Sequence, residues 1–431
     1  MSRLRFCLGV VATLFAAGAC SEAPVTEEIP VVLATSDAFA NLDAVAGTLT
    51  VENALGATLA TKTVKVPTTT LTVGDLTAGE VINLALRVTD PADGRLALVG
   101  ETGLFSVGSS RPMLLQRTGT FAPLTAAPFA LGDQAPLVGT SDGNLVAGLA
   151  DGTLTVLDGR SRRSGPIALK PAAVANAFLA TTDALLVIEG SDFARATAEV
   201  LDLNARAFYP IDPPTNLRFA DVAGGATVRT PSGGSFLIGG TRTTTPSARG
   251  IRAASDGTLE PLLLQASRKG AAIVQVPGVG LVVVGGAETA PGAELILDAT
   301  TNGTSSIRPL STNADSRTGL ALATWDSQRV LVAAEDGSLT LLDTVCAPTC
   351  PVTPLPSLPP ATHRTAVASA TNDVLVGGVE AGAFVVHRVR ANGTSVVPGP
   401  NARADGRLVR AFSSGILVVG GDATPWLFRG E

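Results

Sequence analysis

Apolar residues along this chain come in short runs cut by glycine, proline, asparagine and aspartate. Short runs rich in Val, Leu and Ala between turn residues predict strands and no long helix. Between Ile29 and Gly108 the runs alternate. In "GTLTVEN", "TTLTVGDL" and "EVINLALRVTD" apolar residues recur at alternate positions over much of each run, the period of a strand buried on one face, and "RLALVGE" adds a further short apolar run. Turn clusters such as "DPADG" separate them. Several such strands predict a small antiparallel β-sandwich over residues 31–110. No Cys…Trp…Cys pattern supports an immunoglobulin domain.

Beyond Arg111 the pattern changes from alternating to continuous, and it repeats. Seven apolar runs begin at Leu145, Leu185, Phe236, Leu281, Val330, Val374 and Ile416. Their mean spacing of about 45 residues suits a four-stranded propeller blade. Each run, strand B, follows a strand A such as "AAIVQVPG" and precedes a strand C such as "AELILDA". A strand D marked by proline then closes most copies, as in "IRPL" and "VTPL". There are seven A, B and C strands but six D strands behind them, and a D-like segment stands in front, in "RTGTFAPLTAAP". The expected fold is therefore all-β: the small N-terminal sandwich, then a seven-bladed propeller over residues 111–431. The last blade would take its outer strand from residues near Phe121, which removes an open sheet edge.

Four B strands run into glycine pairs, at Gly239–Gly240, Gly285–Gly286, Gly377–Gly378 and Gly420–Gly421. Glycine there permits positive φ and close approach of a neighbouring blade. The pattern resembles the kelch-type, galactose-oxidase-like β-propellers over roughly residues 111–431. That family carries a Tyr in strand C and a Trp in strand D, whereas this chain has one Tyr and two Trp in all, so its repeats are degenerate.

The N-terminus carries an address. Arg3 and Arg5 precede the apolar "FCLGVVATLFAA", which closes on "AGAC", the order of a secretory signal. The ending resembles the lipobox of bacterial lipoproteins, which implies cleavage after residue 19 and a lipid anchor on Cys20. Ordinary signal peptidase cleavage at the same bond is the other reading. Ser21 implies sorting to the outer membrane, and residues 20–30 read as an acidic tether too polar to fold. In an exported chain Cys346 and Cys350 of "CAPTCP" point to a disulfide more than to a redox or metal pair.

The charge balance, 31 Lys plus Arg against 37 Asp plus Glu, lacks the basic footprint of a nucleic-acid binder. With two His and one Tyr a copper site of the galactose-oxidase kind cannot be assembled, and no metal or cofactor is implied. The Asp-Gly pairs at Asp151, Asp256 and Asp336 fit hairpin turns better than calcium loops. One constellation remains. A basic residue recurs in the D-to-A segments, at Arg218, Arg268, Arg317, Arg364 and Arg403. D–A and B–C loops leave the ring on one face, so these arginines could form a collar for a carboxylate-bearing protein or an anionic glycan, or could brace neighbouring blades. The expected function is a non-catalytic binding or scaffold module, lipid-anchored on the cell envelope and not an enzyme. The alternative is a glycan-active hydrolase or lyase on the same scaffold.

Overall fold

The computed structural model describes residues 24–430 except 34–44, 54–56, 104, 110, 125–128, 130, 132–134, 141–143, 150–152, 158–163, 167–174, 182–183, 190–197, 203–206, 231–232, 241–245, 256, 288–290, 298–305, 312–313, 347–348, 400–405, 412–414 and 421–423. Among the described residues the structure is strands and turns, with one 3₁₀ turn at Phe219–Asp221. No helix among them is long and apolar enough to cross a membrane.

Residues 137–396 form six antiparallel sheets, each of four consecutive strands paired A-B-C-D. Sheets 1 to 6 span 137–166, 175–211, 226–268, 272–311, 321–355 and 362–396. A further four-stranded sheet, here sheet 7, is composite: Arg407–Ala411, Gly415–Val419 and Trp426–Arg429 are completed by Phe121–Pro123. The pairing is antiparallel, with Phe428 opposite Phe121, Leu427 opposite Ala122 and Trp426 opposite Pro123. Six blades, not seven, are thus self-contained pieces of chain, and the outer strand of sheet 7 comes from the front, where the strand count put it.

The continuous apolar character of the B strands has a direct cause. Successive side chains of a strand point to opposite faces, and in a ring of radiating sheets both faces are buried. Phe236 enters the core between sheets 3 and 4, and Leu237 the core between sheets 2 and 3. Val282 enters the core between sheets 4 and 5, and Val283 the core between sheets 3 and 4. The same alternation links sheet 5 to sheet 6 through Leu331 and Val376, and sheet 6 to sheet 7 through Leu375 and Val418. Val146 and Phe178 share the core between sheets 1 and 2. Leu417, Val419 and Leu427 share a core with Ala147 and Leu157, so sheet 7 packs on sheet 1 and the ring closes.

The pair Gly285–Gly286 sits where backbone from a neighbouring sheet comes close. Gly285 has φ +80°, and a Cβ there would lie 2.4 Å from the Arg317 carbonyl oxygen. Gly286 has φ +66° and donates its N–H to that same oxygen at 2.9 Å. A side chain at Gly285 would push sheets 4 and 5 apart, and one at Gly286 would lie 2.5 Å from the Lys269 carbonyl oxygen, in the segment that joins sheets 3 and 4.

In the N-terminal region eight strands join in one hydrogen-bonded set around their own core of Ile29, Leu49, Leu84, Leu86 and Met113, and the pairing is not purely antiparallel as expected. The cause is strand Val25–Leu33, which changes partner midway. Residues 25–30 pair antiparallel with Thr70–Leu76, while Val31, Val32 and Leu33 pair parallel with Met113, Leu114 and Leu115. That strand also takes up most of the segment read as a tether. Alternation outweighs its acidity there: Ile29 is fully buried, while Glu28 and Pro30 are exposed.

Strand Met113–Arg117 leads into the composite sheet and is locked to it. Gln116 Nε2 donates to the Leu427 carbonyl at 2.7 Å, and Arg429 Nη2 pairs with Glu101 Oε2 at 2.6 Å. These contacts lie where strand C of sheet 7 ends and its D strand begins, so the N-terminal sheet adjoins the ring face of the A–B and C–D turns. Because Val31–Leu33 runs parallel to Met113–Leu115, Val25 stands at the end of its strand remote from the ring.

Candidate functional site

The D–A and B–C segments lie on the other face, and four of the five collar arginines can be placed there. Each has found a carboxylate. Arg218 precedes the 3₁₀ turn and pairs with Asp221, Nη2 to Oδ1 at 2.9 Å. Arg317 pairs with Asp315 and Asp336, both at 2.6 Å. Hydrogen bonds to Asp315 and then Asp336 raise the Arg317 pKa, and the same bond from Arg317 holds the Asp336 carboxyl well below the usual range.

Arg268 ends the outer strand of sheet 3 and crosses to sheet 4. Its Nε and Nη2 meet Glu294 Oε1 at 3.0 and 2.7 Å, and both side chains are fully buried. Its remaining donors go to the carbonyls of Gly285, Gly292 and Pro291. Burial lowers the Arg268 pKa, against the opposing pull of Glu294. Arg364 is likewise buried. It donates to the Pro359 carbonyl and to Glu380 Oε1 at 3.5 Å, and burial, again opposed by Glu380, lowers its pKa. Arg403 and Cys20 lie outside the described residues, as do Asp151 and Asp256.

The four described arginines are therefore not equally exposed. Arg268 and Arg364 are interior, whereas the side chains of Arg218 and Arg317 are 78% and 48% exposed. Pattern reading missed Arg249, which stands near the start of strand C of sheet 3, Ser247–Ala253. Its Nη1 stands 3.6 Å from Asp221 Oδ2 and also donates to the Asn216 carbonyl, with 45% of the side chain exposed. Two exposed guanidinium groups thus converge on one carboxylate, a pairing no sequence spacing announces. Lys269, half-buried, follows Arg268 on the same face.

Both histidines of the chain also lie toward this face, in sheet 6. His387 Nε2 is 2.7 Å from Glu380 Oε1, and both side chains are mostly buried. His363 has φ +53° and donates its backbone N–H to Glu335 at 3.3 Å. Sequence reading weighed the histidines as metal ligands and did not find this partnership, because Glu380 carries no motif. Among the described residues no three His, Cys, Asp or Glu side chains are grouped to hold a metal ion.

On the opposite face Cys346 and Cys350 form the expected disulfide, with Cα atoms 5.3 Å apart. The bond staples the C–D turn of sheet 5, and Cys350 N–H donates to the Leu310 carbonyl of sheet 4 at 2.9 Å.

No family model matches the chain and no curated protein is similar to it in sequence. Its fold is similar to that of a streptogramin B lyase, with a TM-score of 0.50 at 12% identity over 72% of this chain and 97% of the other. The WD40 repeats of RRP9 are also similar, with a TM-score of 0.47 at 11% identity over 72% and 97%. At such identities the likeness establishes the β-propeller fold alone. It also overturns one expectation. The chain was read as not an enzyme, from its shortage of His and Tyr and its architecture. A lyase stands on the same architecture, so the fold gives no ground for excluding catalysis.

Proposed function

We propose that this chain is an exported lipoprotein of the cell envelope whose kelch-type propeller recognises an anionic ligand, a glycan or a protein, on its D–A/B–C face. Cys20 carries the lipid, and the anchor holds the protein in the outer membrane. The composite sheet counts as the seventh blade. One observation carries the reading: Arg218 and Arg249, both substantially exposed, share the single carboxylate of Asp221. Guanidinium groups bind sulfate and carboxylate through paired charge-assisted hydrogen bonds, and a surface pair answering one carboxylate retains a net positive charge. The polarity of the molecule supports the same reading. The N-terminal sheet adjoins the opposite face and Val25 lies at its remote end, so an anchor at Cys20 turns the arginine face away from the membrane.

The test is the affinity of purified protein for dextran sulfate against uncharged dextran. Arg218→Gln with Arg249→Gln should weaken dextran sulfate binding at least about tenfold, since hydrogen bonds to charged groups contribute about 1.5–3 kcal/mol each. Unchanged affinity would remove the reading. Mass spectrometry of the mature N-terminal peptide tests the anchor separately, and an unmodified Cys20 would exclude it.

A second reading, a hydrolase or lyase acting on envelope polysaccharide, is favoured by His387 and Glu380. A buried histidine held by a carboxylate at hydrogen-bond distance is equipped to move a proton. Release of new chain ends from envelope polysaccharide by the wild-type protein, abolished in Glu380→Gln, is its test.

A further inference from the structure

We infer that the seam between sheets 2 and 3 is a docking surface for an extended acidic peptide that carries an apolar side chain beside its carboxylate. The inference rests on the anionic-ligand reading above and names the partner of that face. Both sheets build the seam. Strand Ala207–Ile211 of sheet 2 sends Phe208 toward the core shared with sheet 1 and Ile211 toward the core shared with sheet 3. Tyr209 lies directly opposite Val200, which packs against that second core, so Tyr209 stands on the sheet 3 side. From sheet 3, Leu259 packs against the same core, and by alternation Leu263 shares its side of strand Leu259–Arg268. Register sets Leu263 directly opposite Arg249.

Three observations set the chemistry of the occupant. First, Tyr209 and Leu263 are 52% and 72% exposed. Single exposed apolar residues are ordinary, but these two belong to one seam, and the exposure of Leu263 has a visible cause. Beyond it the outer strand of sheet 3 leaves its own sheet, so that the next pair of the ladder is Arg268 with Ser247. In between, the N–H groups of Gln265 and Ala266 donate to Glu294 of sheet 4 at 2.8 and 3.1 Å, and Gln265 Nε2 donates to the Ile307 carbonyl at 3.0 Å. The strand is committed to sheet 4, and its side toward sheet 2 is left to solvent at Leu263. Second, the segment carrying Arg218 closes the D–A end of the seam. Leu217 and Phe219 are buried in the same core, while Arg218 between them is exposed and meets Arg249 on Asp221. A guanidinium pair thus borders the apolar surface. Third, directly opposed residues such as Arg249 and Leu263 have Cβ atoms about 5 Å apart, and side chains two residues apart on an extended peptide share a face at about 6.6 Å. A carboxylate at one such position and an apolar side chain at the other fit the pair. An anionic glycan answers the guanidinium groups and leaves Leu263 in water.

The experiment titrates the full-length mature protein against two labelled peptides of equal charge, read by fluorescence anisotropy: Asp-Ser-Leu-Ser-Asp-Ser-Leu-Ser-Asp, and the same peptide with Ser in place of each Leu. Saturable binding of the leucine peptide, at least about tenfold tighter than the serine peptide, is the expected result, the factor that burying a leucine supplies. Tyr209→Thr with Leu263→Thr changes exposed strand positions to a residue strands accept. It should bring the two peptides to equal affinity and leave dextran sulfate binding unchanged. Arg218→Gln with Arg249→Gln should weaken all three probes. The inference is overturned by absence of saturable peptide binding, or by a leucine preference that survives the threonine variant. Loss of dextran sulfate binding in the threonine variant also overturns it and gives the surface to a glycan. Equal affinity of the two peptides for the wild-type protein, with dextran sulfate still bound through the arginines, overturns this inference and leaves the anionic-ligand reading standing. Unchanged dextran sulfate affinity in the arginine variant overturns both.

Discussion

Replacing Arg268 with methionine tests how the ring is held together. The substitution keeps an unbranched apolar stem but removes five hydrogen bonds, two to Glu294 and three to the carbonyls of Gly285, Gly292 and Pro291. Glu294 keeps the backbone N–H groups of Gln265 and Ala266, at 2.8 and 3.1 Å, and is otherwise a fully buried carboxylate without its cation. Breaking a buried pair from one side costs about 3–5 kcal/mol. The unpaired carbonyls, at about 1–3 kcal/mol each if left dry, overlap with that figure and do not add to it. The expected loss at pH 7 is therefore about 3–5 kcal/mol, read as a lowered urea midpoint at unchanged slope. Adding Glu294→Gln removes the uncompensated charge and should recover part of that loss at pH 7. A loss under about 1 kcal/mol would refute the bracing role.

Four further outcomes are expected. Gly285→Ala forces positive φ on a side chain placed 2.4 Å from the Arg317 carbonyl, so it should destabilise by more than the roughly 1 kcal/mol of an ordinary glycine effect in thermal unfolding. Deleting residues 421–431 removes the buried Leu427 and Phe428, at about 1.5–3 kcal/mol each, and strips the partner from Phe121–Pro123; aggregation or loss of cooperative unfolding should follow in light scattering and calorimetry. Cys350→Ser opens a four-residue separation and should cost only about 2 kcal/mol, with the ring intact by circular dichroism. Asp336 contributes stability above its unfolded pKa of about 3.9 that is lost as pH falls through its depressed folded value. Because the pair with Arg317 is half exposed, Asp336→Asn should cost at most about 1 kcal/mol at pH 7 and flatten the acid limb of the stability curve.

The ring was legible because its signals are local. A B strand buried on both faces reads as an unbroken apolar run, and the surplus of strands at one end located the composite sheet to within residues 121–123 and 426–428. The N-terminal sheet was not legible, because its topology rests on one strand choosing partners far away, at Thr70–Leu76 and Met113–Leu115. Alternation names the buried face of such a strand and is silent about its neighbours. The arginines divided for a similar reason. Their recurrence was visible, but burial was decided by tertiary packing: Arg268 meets Glu294 of the next sheet and is buried, whereas Arg218 takes Asp221, three residues on, and stays exposed.

The most direct test of the central claim, that the D–A/B–C face is the recognition surface, is amide hydrogen exchange of the mature protein with and without dextran sulfate. The account predicts added protection in segments 216–221 and 247–253, and none in the N-terminal sheet. Protection confined to the A–B and C–D turns, or exchange unchanged throughout at saturating dextran sulfate, would contradict it.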